Sequence, residues 1–119
     1  MGRLTTHVLD TANGKPAAGI ELAVYKVDEA DGARALLGEA RTNADGRCDR
    51  PLLEGEELQR GVYEIVFRMA DYFAGKESGL SLPPFVGDVV LRFGVSAPGE
   101  HYHVPLLVSP WSYSTYRGS

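Results

Sequence analysis

A single cysteine, Cys48, stands in the 119 residues. No intrachain disulfide can form, which excludes a secreted domain stapled by disulfides. No apolar run approaches the roughly 20 residues that a membrane-spanning helix needs. The N-terminus, Met1-Gly2-Arg3-Leu4-Thr5-Thr6-His7, has no apolar core of the kind a signal peptide carries. There is no block of one charge sign, and the net charge is -4. A weakly acidic chain with scattered charge points away from nucleic acid and from an anionic membrane as main partners. The glycines form neither a phosphate-cradling loop nor a dinucleotide fingerprint. Asp45 and Glu64 have no carboxylate partner at a spacing that suggests a glycosidase pair. Together these absences predict a cytoplasmic protein that is neither a nucleic-acid binder nor a membrane protein.

What is present reads as one globular domain, residues 1–119, with a hydrophobic share of 44%. Short β-prone runs alternate with turn chemistry. Leu4 to Asp10 alternates Leu4, Thr6 and Val8 against Thr5, His7 and Leu9. Asn13-Gly14-Lys15-Pro16 breaks that run. Ile20 to Val27 is a second strand, and Leu36 to Thr42 a weaker third. Asn43-Ala44-Asp45-Gly46 turns the chain ahead of Arg47. Pro51 to Leu53 is a short edge strand. Val62 to Phe67 and Gly87 to Val95 are strands with Tyr63, Ile65, Phe67, Val89, Leu91 and Phe93 inward. The only helical stretch is Ala70 to Ser78. His101 to Val108 turns Tyr102, Val104, Leu106 and Val108 inward, and Trp111 to Tyr116 is the last strand. This pattern predicts an all-β, antiparallel sandwich with one short helix.

The three histidines, His7, His101 and His103, all fall on the non-core faces of their strands. If the first and the late strands are neighbours, His7, His103 and Tyr116 share one floor. A strand His-x-His pair can serve zinc, but no Asp or Cys lies close in sequence to complete the shell. A metal is therefore not expected. Arg47 follows a glycine turn, where its guanidinium fork suits a planar imide or carboxylate. Cys48 beside it has nothing to depress its thiol pKa and reads as inert. The chain runs from an aromatic segment into Tyr116-Arg117-Gly118-Ser119, a polar tetrapeptide that reads as a used end rather than a frayed tail.

Taken together, these residues resemble a known family. Leu4-Thr5-Thr6-His7-Val8-Leu9-Asp10-Thr11, Gly14-Lys15-Pro16-Ala17 and Leu107 to Thr115 resemble the transthyretin-like proteins over essentially the whole chain. His7, Arg47, His101-Tyr102-His103-Val104-Pro105 and the terminal tetrapeptide are similar to the branch that hydrolyses 5-hydroxyisourate. The hormone-carrying branch lacks these histidines. The resemblance implies an eight-stranded sandwich assembled as a homotetramer, a dimer of dimers, with sites at the dimer–dimer interface. It implies a small-molecule substrate, no cofactor, and ring opening of 5-hydroxyisourate by water. His7 and His103 would position that water, and Arg47 would orient the substrate. Tyr116 would line the ring, and Ser119 would act through its hydroxyl or carboxylate. His101, Arg117 and Gly118 would support them. The alternative is a carrier that holds a small aromatic ligand without turning it over.

Overall fold

The computed structural model describes residues 1–118. In chain order the elements are β1 (Arg3–Asp10), β2 (Lys15–Pro16), β3 (Glu21–Val27), β4 (Arg34–Arg41), β5 (Leu53–Glu54), a 3-10 turn (Gly55–Glu57), β6 (Gly61–Phe67), α1 (Met69–Ala74), β7 (Val89–Val95), β8 (His101–Val108) and β9 (Tyr113–Thr115). One sheet has the order β2-β1-β8-β9, with β5 also on β1; the other has the order β4-β3-β6-β7. The all-β sandwich with one short helix is what the alternation predicts.

Alternation decides what each strand buries. On β1, Leu4, Thr6, Val8 and Asp10 are buried, while Thr5, His7 and Leu9 are partly exposed. On β8, Tyr102, Val104, Leu106 and Val108 are buried. These side chains meet Leu22, Val24, Tyr63, Ile65, Phe67 and Leu91 of the second sheet in one apolar cluster. Burying a Leu or Val side chain stabilises a fold by about 1.5–3 kcal/mol, so a one-residue register slip in β1 would expose Leu4 and Val8 and bury His7. The hydrophobic pattern therefore pins the outward placement of His7 as firmly as the inward placement of the core.

Three features differ from the sequence expectations. The eight strands become nine strand segments among the described residues, because Lys15-Pro16, read as a turn, pairs with Leu9 and Asp10. The pairing is not antiparallel throughout: β1 and β8 run parallel over Arg3↔His101 to Asp10↔Val108. Strands so far apart in the chain are free of the hairpin constraint that makes sequential neighbours antiparallel. The helix closes at Ala74 rather than Ser78, where the Gly75 amide bonds back to the carbonyl of Asp71.

The free edge of β1 is covered in three pieces. β5 pairs at Arg3 and Leu4, β2 at Leu9 and Asp10, and between them lies an isolated antiparallel bridge, His7↔Arg47. The middle piece is the loop that carries Arg47, so covering an otherwise sticky edge also delivers a guanidinium to a histidine.

Candidate active site

The floor of the site is the outward face of the β1–β8 pair. Parallel register sets Arg3 beside His101, Thr5 beside His103 and His7 beside Pro105. The Thr5 hydroxyl lies 2.8 Å from Nε2 of His101 and 2.8 Å from Nδ1 of His103. The two histidines of the His-x-His motif are thus joined through one threonine.

The turn over residues 43–47 forms the wall. Asn43 Oδ1 accepts from the amides of Asp45 at 2.9 Å and Arg47 at 3.2 Å, and the Asn43 amide donates to the Arg47 carbonyl at 2.7 Å. This is the local side-chain bonding that makes asparagine a turn former. Gly46 has φ +75°, and its carbonyl accepts from the Val8 amide at 2.8 Å. A β carbon at residue 46 would stand 2.5 Å from the Val8 carbonyl oxygen, so only glycine lets the turn sit this close to β1. Seated there, the turn offers the Asp45 carbonyl to Nε2 of His7 at 2.9 Å. A carbonyl only accepts, so Nε2 of His7 carries a proton and Nδ1 is the nitrogen left basic in the neutral ring.

Between floor and wall is a cleft of about 370 Å³ lined by Arg3, Thr5, Arg47, Arg50, His101 and His103, with Cys48 and Asp49 among the remaining contacts. His7 stands beside the cleft rather than in its lining, linked to it through Arg47. Burial and the Arg47 charge push His7 below its ordinary 6.5, against the pull of the Asp45 carbonyl. His103 is pushed down by burial, then by Arg47, His101 and His7. Both shifts favour the neutral imidazole at pH 7, the form that can take a proton from water. Burial and Asp49 push the Cys48 thiol up, in keeping with the inert cysteine that the sequence suggests.

The chain end closes over the floor at one point. The Gly118 amide donates to the His103 carbonyl at 2.8 Å. Arg117 pairs with Glu100 at 3.0 Å, reaches the His101 carbonyl at 3.3 Å and lies 4.0 Å above the Tyr102 ring. These contacts tie Arg117 to the start of β8. Tyr116 does not share the histidine cleft: it is 59% exposed and lines a separate hollow with Phe93, Tyr102 and Val104. Ser119 lies outside the described residues.

So the fold brings His101, His103 and Arg47 to one cleft, with His7 next to it and Gly118 against it. In the sequence Asn43 and Gly46 read only as turn residues and Thr5 only as an outward strand residue, none of them as part of a site. Thr5 has the same parity as His7, which put it on the right face. Only the parallel register of β1 and β8 sets it between the two histidines.

A sandwich of this topology with a histidine and arginine cleft on its outer face defines a class that sequence comparison identifies. The chain belongs to the HIUase/Transthyretin family, whose model matches residues 4–118. It is similar to the 5-hydroxyisourate hydrolase of Ralstonia nicotianae, 56% identical over 119 residues and covering 100% of both chains. Among solved structures it is similar to (S)-allantoin synthase, with a TM-score of 0.91 at 48% identity, covering 99% of this chain and 44% of that one. It is also similar to sea bream transthyretin in complex with thyroxine, with a TM-score of 0.85 at 27% identity over 98% of this chain and 94% of that one.

Proposed function

We propose that this chain hydrolyses 5-hydroxyisourate to 2-oxo-4-hydroxy-4-carboxy-5-ureidoimidazoline, a step of urate breakdown. The observation that carries the reading is the seating of Arg47 against His7 and beside His103, in a chain alike over its full length to a hydrolase of that name. The substrate is planar and holds an activated ring amide. Opening it needs an activated water, a polarised carbonyl and an oriented ring. The two neutral imidazoles supply the first. Water oxygen bonds to the ring carbonyl carbon, the carbon–nitrogen bond breaks, and the water proton passes by way of an imidazole to the departing nitrogen. Arg47 donates to the imide-like edge and stabilises the developing oxyanion, an electrostatic effect. No cofactor or metal takes part.

No described helix is long and apolar enough to cross a membrane, and we place the enzyme in the cytoplasm. We take it to act as a homotetramer, a dimer of dimers. The partly exposed Leu9 and Leu107 on the same outer face as His7 and His103 suit coverage by a second copy. Tyr116 reaches a different hollow within one chain, so its role against the substrate ring is assigned across that interface. Ser119 is assigned to orient an imidazole or to bind substrate.

The test is ultraviolet decay of freshly generated 5-hydroxyisourate. The wild-type chain should accelerate it, and His7→Asn, Arg47→Gln or His103→Asn should lose about 100- to 10,000-fold of that acceleration with the fold intact by circular dichroism. Full activity in all three variants overturns the mechanism. Binding of thyroxine without any turnover would favour the carrier alternative instead.

A further inference from the structure

Among the described residues, Thr5 is the one side chain at the site that hydrogen-bonds two histidines, and the activity proposed above does not by itself give it a task. Its hydroxyl carries one proton and two acceptor lone pairs. With Nε2 of His101 and Nδ1 of His103 both at 2.8 Å, it can donate to only one of them. The other ring nitrogen must then bear a proton and donate to the oxygen. The two imidazoles are therefore locked into complementary tautomers. When Nδ1 of His103 donates, Nε2 of His103 is left as a free base and Thr5 donates to Nε2 of His101. When the roles reverse, Nε2 of His103 carries the proton and can only give it.

We propose that Thr5 and His101 are positioning residues forming a proton relay behind His103, so that this one imidazole serves as base and then as acid while the proton in transit waits on His101. The assignment rests on the hydrolytic reading above. In the forward half, water gives its proton to Nε2 of His103 as its oxygen bonds to the ring carbonyl. The Nδ1 proton of His103 passes to the Thr5 oxygen, and the Thr5 hydroxyl proton passes to Nε2 of His101. His103 ends neutral in its other tautomer and His101 ends as an imidazolium. In the return half, Nε2 of His103 protonates the departing ring nitrogen. Thr5 then returns a proton to Nδ1 of His103 and takes one from Nε2 of His101. The sum is one water added across one carbon–nitrogen bond, with every group restored.

The surroundings explain why a relay is better here than a simple base. A cation formed on His103 would sit part-buried, with Arg47 facing it from the loop wall, Arg50 lining the same cleft and His7 beside it on β1; Arg3 stands beside His101, and among the described residues Asp49 is the one carboxylate of the cleft lining. His101 is exposed to water, where a positive charge is solvated at far lower cost. Moving the proton across Thr5 carries the charge out of the crowded position without moving a heavy atom.

The experiment pairs imidazole nitrogen NMR with kinetics on the full chain. In wild type near pH 7.5, the spectrum should show His103 protonated on Nδ1 and bare on Nε2. Thr5→Val keeps the shape and removes the hydroxyl. It should shift His103 toward the other tautomer and lower kcat by about 10- to 100-fold, a part of the usual general-base effect, with little change in KM. Thr5→Ser should restore both readouts. His101→Gln, which can still hydrogen-bond but cannot store a proton, should lower kcat to the same degree, and the Thr5→Val/His101→Gln double variant should be no worse than either single one. A His103 tautomer that does not respond to Thr5→Val overturns the relay, and so does additive loss in the double variant. The spectra need no substrate. If they behave as expected but the wild-type chain does not hydrolyse 5-hydroxyisourate, the substrate reading fails and the imidazole coupling stands.

Discussion

The amide of Gly118 donates to the carbonyl of His103 at 2.8 Å, and a β carbon on residue 118 would stand 2.7 Å from Cδ2 of the His103 ring. Gly118 thus packs backbone directly against an imidazole edge, and a glycine is there for room. Gly118→Ala must push the ring away from its place over Thr5. A misplacement near 1 Å can cost about 100-fold in rate, so kcat should fall between about 10- and 100-fold while the unfolding midpoint barely changes. Unaltered turnover by Gly118→Ala would show that the position of this ring does not limit the reaction.

Arg47 acts at a distance on two titrations. Burial is the larger cause that holds His7 and His103 below 6.5, and the Arg47 charge is the next. Removing that charge makes each imidazolium less costly, so both pKa values rise toward 6.5. The acid limb of the kcat/KM profile should then move to higher pH in Arg47→Gln, on top of a fall of about 100- to 1,000-fold from the lost oxyanion contact. Arg47→Lys keeps the charge but not the fork. It should keep the wild-type acid limb and lose rate alone. A limb that stays put in Arg47→Gln would mean burial by itself sets the histidine pKa values.

The contrast between His103 and Thr5 shows what the sequence could reveal. Parity along a strand is a local property, so the outward placement of His7, His101 and His103, and the inward sets on β1 and β8, were readable directly. Which strands are neighbours, and in which direction, depends on contacts nearly a hundred residues apart. The parallel β1–β8 pair is therefore the point where sequence reasoning went wrong, and it is also the step that sets Thr5 between two imidazoles. Arg47 was legible as a turn-mounted guanidinium next to a glycine. Its partner was not, because the His7↔Arg47 bridge joins a strand edge to a loop with no periodicity of its own. Tyr116 departs from strand parity for a related reason: β9 ends at Thr115, so alternation no longer sets which side residue 116 faces.

Gly46 couples stability and activity in one residue. Its φ of +75° lies in the left-handed region, and a side chain there would also meet the Val8 carbonyl at 2.5 Å. Gly46→Ala should cost on the order of 1–3 kcal/mol for the backbone conformation, read as a lower urea midpoint. It should also lift the turn from β1, withdrawing the Asp45 carbonyl from His7 and moving Arg47. Activity should fall further than the folded fraction does. If lost activity tracks lost fold one for one, the turn contributes stability only.

At the other end of β1, Asp10 is 1% exposed and links that strand to the helix. Tyr72 donates to its Oδ2 at 2.7 Å, and the Asn13 side chain and amide donate at 2.8 and 2.9 Å. Burial alone would raise the Asp10 pKa, but the hydrogen bonds from Tyr72 and Asn13 outweigh it and hold it below 3.8. A carboxyl depressed in the folded state stabilises the fold at pH values above its unfolded pKa. That contribution is lost as pH falls through the folded value, below 3.8. Tyr72→Phe removes one donor from a buried carboxylate, which costs about 1–3 kcal/mol. Urea unfolding should show the full deficit of Tyr72→Phe at pH 7 and at pH 5, and a smaller one at pH 3, below the ordinary 3.8 of the carboxyl. A deficit that stays constant from pH 7 to pH 3 would assign the loss to packing of the phenol between β1 and α1 rather than to the charge it solvates.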